Sequence, residues 1–266
     1  MRPDDVTTLP IDLKHMSNLK KPAGLPLTLE KGEVHVWIAD IGPAAEDVAR
    51  LGRVLDRAEV ARASRFHFDR DREAFTLSRG SLRVLLGRYI GQVPERVRFG
   101  YGPYGKPYLA PEMGSEEIHF NISHTENVAL FAFGRSMEVG IDVERVRALP
   151  DLEDLAERFF SREESEALRN LPENDRARAF FRCWTSKEAY IKGIGEGLSM
   201  PLDSFAVALD PAEGPIRLRL FDAPGAVLRW RLQRFEPSAG YVAALAVEGE
   251  SFELRFCGHP EGEGPC

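Results

Sequence analysis

The chain has no apolar run long enough to cross a membrane, where about 18–20 residues in succession are needed. Its opening stretch, MRPDDVTTLPIDLKHM, lacks the apolar core of an export signal. Cysteine is scarce. Cys183, Cys257 and Cys266 form an odd, scattered set with neither disulfide-framework nor zinc-ligand spacing. These absences lead us to expect a soluble, non-exported protein of the reducing cytoplasm. Positive charge is in deficit: 35 Lys and Arg face 42 Asp and Glu, for a net charge of −7. That balance disfavours a protein coated in positive charge for duplex DNA. There is no Walker A loop, Rossmann GxGxxG, HExxH or GxSxG, so the commonest nucleotide-binding and hydrolase signatures are missing.

What remains is an ordinary folded composition. Of 266 residues, 43% are hydrophobic, enough for one large domain or two small ones. Residues 1–30 are proline-bearing with weak periodicity and read as a loosely held lead-in. EVHVWIADI (33–41) alternates as a strand does. Residues 56–89 read as helix, and the glycine-laden VRFGYGPYGKPYL (97–109) as turns. Strand-like runs follow at hairpin spacing over 118–124, 128–134 and 138–146. The second half then repeats the plan. VGIDVERV matches VHVWIADI as an opening strand, and LEDLAERFFSREESEALRN and DRARAFFRCWTSKEAYIKG are helical. FAVALD, IRLRLF, LRWRLQRF and GYVAALAVEG are strands, and YVAALAVEG closes its half as VALFAF closes the first. ASRFHF and AERFFS stand at like positions. The expected fold is α+β, with an N-terminal subdomain over 31–136, a similar C-terminal subdomain over 137–250 and a C-terminal tail over 251–266 that frays after Phe256. Ligand clefts commonly lie at such seams.

Several segments carry side chains suited to chemistry. In GIDVE, residues two apart on a strand share a side, so Asp142 and Glu144 project together while Ile141 and Val143 face the core. Two adjacent carboxylates suit a hard divalent cation such as Mg²⁺, which takes one or two carboxylates, waters and phosphate oxygens. A solvated acidic edge strand explains the pentapeptide as well. In WTSKEAYIKGIGEGL, Glu188 stands four residues before Lys192, the spacing of an ordinary helix ion pair. Its apolar flank and the glycines 193, 195 and 197 point instead to a partly buried pair near a ligand. In NISH, Ser123 and His124 offer donors to a phosphate, or form a turn with no role. Lys106, between Gly105 and Pro107, is either a fixed phosphate contact or a solvated loop lysine. Arginines 62, 65, 72, 79 and 83 recur near helical spacing. They suit a solvated face, a nucleic-acid patch or a phosphate grip.

Taken in order, Arg62–Phe66 with RGSLR, YGKPYL, FNISHT, VGIDVE, RFFSREE and FFRCWTSKEAYIKGIGEGLSMPLDSF resemble the Sfp-type 4′-phosphopantetheinyl transferases. The resemblance runs from about residue 34 to 248, and GIDxE combined with WxxKEAxxK and GxGL is its most specific part. It implies a pseudo-twofold monomer of two similar α/β subdomains with the active site at their interface. It implies transfer of the phosphopantetheine arm of coenzyme A to a serine of an apo acyl or peptidyl carrier protein, releasing 3′,5′-ADP. In this pattern Asp142, Glu144 and Glu188 hold Mg²⁺, and Lys192 contacts the pyrophosphate. Lys106, Ser123, His124, Arg62 and Arg79 bind the remainder of coenzyme A. Neither nucleic acid nor a membrane is an expected partner.

Elementary chemistry agrees with that pattern. Transfer of a phosphate-linked group needs neutralised charge and an aligned nucleophile. Glu188 or a metal-bound water is the base for the serine, and Lys192 steadies the departing phosphate. Two other readings compete. A nucleic-acid-binding module on the arginine-rich helices leaves GIDVE and WTSKEAYIK unexplained, and an inactive carrier-binding homologue has no need of an intact acidic triad.

Overall fold

The computed structural model describes residues 26–210, 214–221 and 229–257. The first half runs β1 (Glu33–Asp40), α1 (Ala45–Gly52), α2 (Arg57–Ala63), α3 (Asp69–Ile90), β2 (Phe99–Tyr101), β3 (Pro107–Leu109), β4 (Ile118–Thr125) and β5 (Val128–Arg135). The second runs β6 (Val139–Arg145), α4 (Leu152–Phe159), α5 (Arg162–Arg169), α6 (Glu173–Ile194), β7 (Phe205–Val207), β8 (Gly214–Ile216), β9 (Leu218–Leu220), β10 (Trp230–Phe235) and β11 (Tyr241–Glu248). A last strand, β12 (Glu253–Cys257), returns to the first sheet.

Local chemistry sets the helix ends alike in both halves. Asp56 and Glu59 form a capping box at the start of α2, and Ser161 and Glu164 form one at the start of α5. Both α3 and α6 span 22 residues and stop at a left-handed glycine, Gly91 (φ 66°) and Gly195 (φ 76°). The ladders agree too. β1 and β5 pair Val34 with Gly134 and Asp40 with Val128, while β6 and β11 pair Val139 with Val247 and Arg145 with Tyr241. Those are the registers obtained by laying VHVWIADI on VGIDVERV and VALFAF on YVAALAV. The sheets run β12-β1-β5-β4 and β6-β11-β10-β8.

Strand alternation then builds the layers. Val34, Val36, Ile38, Val128, Leu130 and Ala132 of the first sheet meet Val139, Ile141, Val143, Ala243, Leu245 and Val247 of the second. On the outer faces, Ala129, Phe131 and Phe133 pack under Leu82, Leu85 and Leu86 of α3. Val242, Ala244 and Ala246 pack under Ala189, Tyr190 and Ile191 of α6. Helix, sheet, sheet and helix therefore stack, and each large buried side chain contributes about 1.5–3 kcal/mol. Gly140 lets α6 lie directly on β6, because a Cβ there would stand 2.0 Å from the Ala189 carbonyl oxygen.

Some expectations need correction. The helix expected over 56–89 is interrupted after Ala63, and α3 restarts at Asp69. ASRFHF lies in that gap, after α2, whereas AERFFS ends α4 and runs into the α5 cap, so the two are not equivalent. Helix α1 escaped notice because it is short, buries Leu51 alone and has no side-chain N-cap. The turn-rich segment includes the β2–β3 hairpin. The tail expected from residue 251 is partly a strand. The outer edge of β1 offers unpaired backbone groups, and β12 satisfies them in parallel, from Glu33 with Glu253 to Trp37 with Cys257. Residues 258–266, and the lead-in before residue 26, lie outside the described residues. Cys183 is free and buried, and Cys257 is disulfide-bonded.

Candidate active site

Strand β4 is the edge of one sheet and β6 the edge of the other. Their alternate residues meet through side chains. His119 Nδ1 lies 2.9 Å from Glu138 Oε1, and Asn121 Oδ1 accepts the Ile141 backbone N–H at 3.0 Å. Ser123 Oγ donates to Asp142 Oδ1 at 2.8 Å, and Thr125 Oγ1 to Glu144 Oε2 at 3.4 Å. The intervening Phe120 is buried in the α3 core. The FNISHT pattern thus supplies an apolar inner face and a polar row that grips the acidic strand.

Helix α6 completes the centre. Lys192 Nζ donates to Asp142 Oδ1 at 2.5 Å and to Ser123 Oγ at 3.1 Å. Asp142 is buried, and its Oδ2 has no hydrogen-bond partner among the described residues. Glu188 makes no hydrogen bond or ion pair among the described residues, although Asp142, Glu144 and Lys192 all act on its charge. Burial first, then Asp142, pushes both the Glu144 and the Glu188 carboxyl upward. The side chains are thus short of positive charge. Hard oxygen donors, an orphaned buried oxygen and mutual repulsion suit a divalent cation. In this arrangement the Lys192 ammonium sits on Asp142, and among the described residues no three His, Cys, Asp or Glu side chains close into a metal cluster.

A cleft of about 720 Å³ adjoins this centre. Arg62, Arg70, His124 and Arg147 line it together with Phe66 and Phe75. Thr125 and Arg147, which contact Glu144, join the cleft to the carboxylates. Burial first, then the Lys192 charge, holds the His124 imidazole below its usual range, while Asp71 opposes the shift. The expected donor-binding residues Arg62 and His124 therefore share a cleft, with Ser123 beside it on Asp142.

Two others are placed elsewhere. Arg79 is buried, with its guanidinium on Glu59 at 2.5 Å, on the Tyr101 hydroxyl at 2.8 Å and over the Phe99 ring. Arg79 is thus engaged inside the first half and does not line the cleft of Arg62 and His124. Lys106 lines a separate cleft of about 490 Å³ with His119, Glu138 and Gly195. Part of the arginine-rich stretch is neutralised within the fold, while Arg53, Arg57 and Arg65 are exposed. Arg83 is enclosed by Glu59 and Asp56, and Arg50 and Arg72 pair with Asp47 and Asp69.

Sequence reasoning missed Arg147 and Arg70 in the cleft, and it missed the fully buried Lys187–Glu164 pair at 2.8 Å. The S-x-x-E signature at Ser161 pointed to Glu164 as a cap, though not to its buried partner on α6.

Carboxylates and a lysine beside a cationic cleft suit group transfer from a phosphorylated donor. Residues 40–135 match the model of the 4′-phosphopantetheinyl transferase N-terminal region, and residues 138–246 that of the 4′-phosphopantetheinyl transferase superfamily. The 4′-phosphopantetheinyl transferase HetI of Nostoc sp. is 40% identical over 238 residues, which cover 90% of this chain and 96% of that protein. The chain belongs to the 4′-phosphopantetheinyl transferase superfamily and is a transferase. The 4′-phosphopantetheinyl transferase Sfp of Bacillus subtilis is 31% identical over 207 residues, 78% of this chain and 88% of that protein. The human L-aminoadipate-semialdehyde dehydrogenase-phosphopantetheinyl transferase is 29% identical over 167 residues, 60% of this chain and 54% of that protein. Among the described residues no helix is long and apolar enough to cross a membrane.

Proposed function

We propose that the chain transfers the 4′-phosphopantetheine arm of coenzyme A to a serine of an apo acyl or peptidyl carrier protein, with release of 3′,5′-ADP. The observation that carries this reading is the crowding of Asp142, Glu144, Glu188 and Lys192 beside the Arg62–His124 cleft. The two halves, 31–136 and 137–250, act as pseudo-twofold subdomains with the active site between them. Asp142, Glu144 and Glu188 would hold Mg²⁺, which when bound neutralises charge on the donor pyrophosphate.

The chain's own groups do the rest. Arg62 and His124 take the phosphorylated adenosine end of the donor, with Arg70 and Arg147 adding positive charge to the cleft. Ser123 holds Asp142 in place and shares the Lys192 ammonium with it. Glu188, its carboxyl raised by burial and by Asp142, accepts the proton of the carrier serine. The serine oxygen bonds the phosphorus that carries pantetheine, and the bond from that phosphorus to the oxygen of 3′,5′-ADP breaks. Lys192 steadies the negative charge that appears on the leaving oxygen. On this reading the protein works as a cytoplasmic monomer.

The test mixes the protein with coenzyme A, Mg²⁺ and a panel of apo carriers, read by mass spectrometry. A gain of one phosphopantetheine on a carrier serine is expected. No gain on any carrier defeats the proposal.

A further inference from the structure

Lys106 stands in the GKP turn, where family resemblance puts a contact to the donor. An ammonium has three N–H donors. Here all three are engaged within the chain: by Glu138 Oε2 at 2.6 Å, the Gly193 carbonyl at 2.7 Å and the Val139 carbonyl at 3.3 Å. Glu138 immediately precedes β6, Val139 opens it, and Gly193 lies in the last turn of α6. A helix C-terminus leaves its final carbonyls unsatisfied and carries partial negative charge, so a lysine there both bonds and neutralises. Glu138 is held in turn by His119 of β4 at 2.9 Å. Burial raises the Glu138 carboxyl, but the His119 hydrogen bond and the Lys106 charge outweigh it and bring the group to about 2. The lysine stem also packs on the helix cap, since a Cβ at Gly195 would stand 3.3 Å from Lys106 Cδ.

The two elements that Lys106 joins are those that carry the active centre. Asp142 is on β6, and Glu188 and Lys192 are on α6, with Lys192 adjacent to the clamped Gly193. We propose that Lys106 is a positioning residue: it clamps the end of α6 to the start of β6, aims Glu188 and Lys192 at Asp142, and makes no contact with donor phosphate. This rests on the transfer reading above. It replaces a binding role for Lys106 with one felt in turnover, whatever phosphates the donor carries.

The experiment compares the unaltered chain with Lys106→Met, Lys106→Arg and Glu138→Gln, using coenzyme A and 3′-dephospho-coenzyme A. Lys106→Met is expected to lower kcat about tenfold to a hundredfold with both donors, the scale of a small misplacement of reacting groups. Glu138→Gln shifts kcat the same way, and Lys106→Arg restores part of the loss. The ratio of the two donors' affinities by calorimetry stays as in the unaltered chain. Without any ligand, amide exchange at Gly195, whose N–H bonds the Ile191 carbonyl at 3.0 Å, becomes faster in Lys106→Met and Glu138→Gln. A loss of affinity confined to coenzyme A, with Glu138→Gln kinetics and Gly195 exchange unchanged, overturns the assignment. Failure of the transfer reading looks different. The unaltered chain then modifies no carrier with either donor, while Gly195 exchange still decides whether Lys106 is the clamp.

Discussion

Glu188 and Glu138 are both glutamates near the seam, and their surroundings drive them in opposite directions. Glu188 is raised by burial and by Asp142, with Lys192 in opposition. A carboxylate so placed accepts a proton more readily than a free one. Glu188→Gln keeps the size and removes the proposed base. Carrier modification followed by mass spectrometry should slow on the order of a hundredfold or more, and near-normal turnover would remove Glu188 from the proton transfer. Glu138 is instead depressed from 4.5 to about 2. A depressed acid adds stability that is fully present above the unfolded value and is lost as pH falls through the folded one. Urea unfolding of the unaltered chain and Glu138→Gln should therefore differ most above pH 4.5 and converge toward pH 2. A difference that persists unchanged down to pH 2 would contradict the ion pairing.

At the scale of elements, the joint between α6 and β6 carries the site. Gly140 has no substitute there, since any Cβ would meet the Ala189 carbonyl and the Gly193 nitrogen, 2.0 and 2.3 Å away. Gly140→Ala must push the helix off the strand. A stability loss of about 1–3 kcal/mol in urea denaturation is expected, the usual scale of overpacking. Transfer activity should fall with it as Lys192 leaves Asp142. The rotation of α6 about its axis is set by Lys187, fully buried between Glu164 and the carbonyls of Leu202 and Phe205. Glu164 also accepts the Val207 N–H at 2.7 Å and closes the α5 capping box. Lys187→Met leaves that carboxylate buried without its cation, at a cost of about 3–5 kcal/mol. The double variant with Glu164→Gln should recover part of that loss in the same denaturation experiment. A double variant no more stable than Lys187→Met alone would show that the stranded charge is not what costs.

Across the whole molecule, the two halves share helix lengths, cap glycines and ladder registers but carry different charged side chains. Counted back from the cap glycines of α3 and α6, Arg83 stands where Lys187 does, Val84 where Glu188 does and Arg88 where Lys192 does. The buried cation and its capping glutamate are thus shared, as Arg83 with Glu59 and Lys187 with Glu164. Glu188, the proposed base, has an apolar counterpart in Val84. The proposed cation joins side chains of β6 and α6, and none of Asp142, Glu144 and Glu188 belongs to the apolar cores that hold the fold. A chelator should therefore abolish carrier modification while leaving the melting temperature of the ligand-free chain within about a degree, as a site without structural metal requires. A large fall in melting temperature would make the cation structural.

Much of this was legible beforehand, because it depends on neighbours along the chain. Alternation placed Asp142 and Glu144 on one side of a strand and Ile141 and Val143 on the other. Helical spacing put Glu188 and Lys192 on one face of a helix, and the matched opening and closing strands take the same ladder register in the structure. What no local pattern contains is which distant groups meet. Arg79 and Lys106 look in sequence like free cations for a phosphate. Folding brings Glu59 to the first, and Glu138 with the end of α6 to the second. Strand β12 reads as a tail until the open edge of β1 is known. The sequence by itself determined most of the elements, their order and the acidic motif, since periodicity and capping act over a few residues. Only the tertiary structure decided which charges are consumed inside the fold and which remain to do chemistry, because a buried charge must find its partner wherever packing puts one.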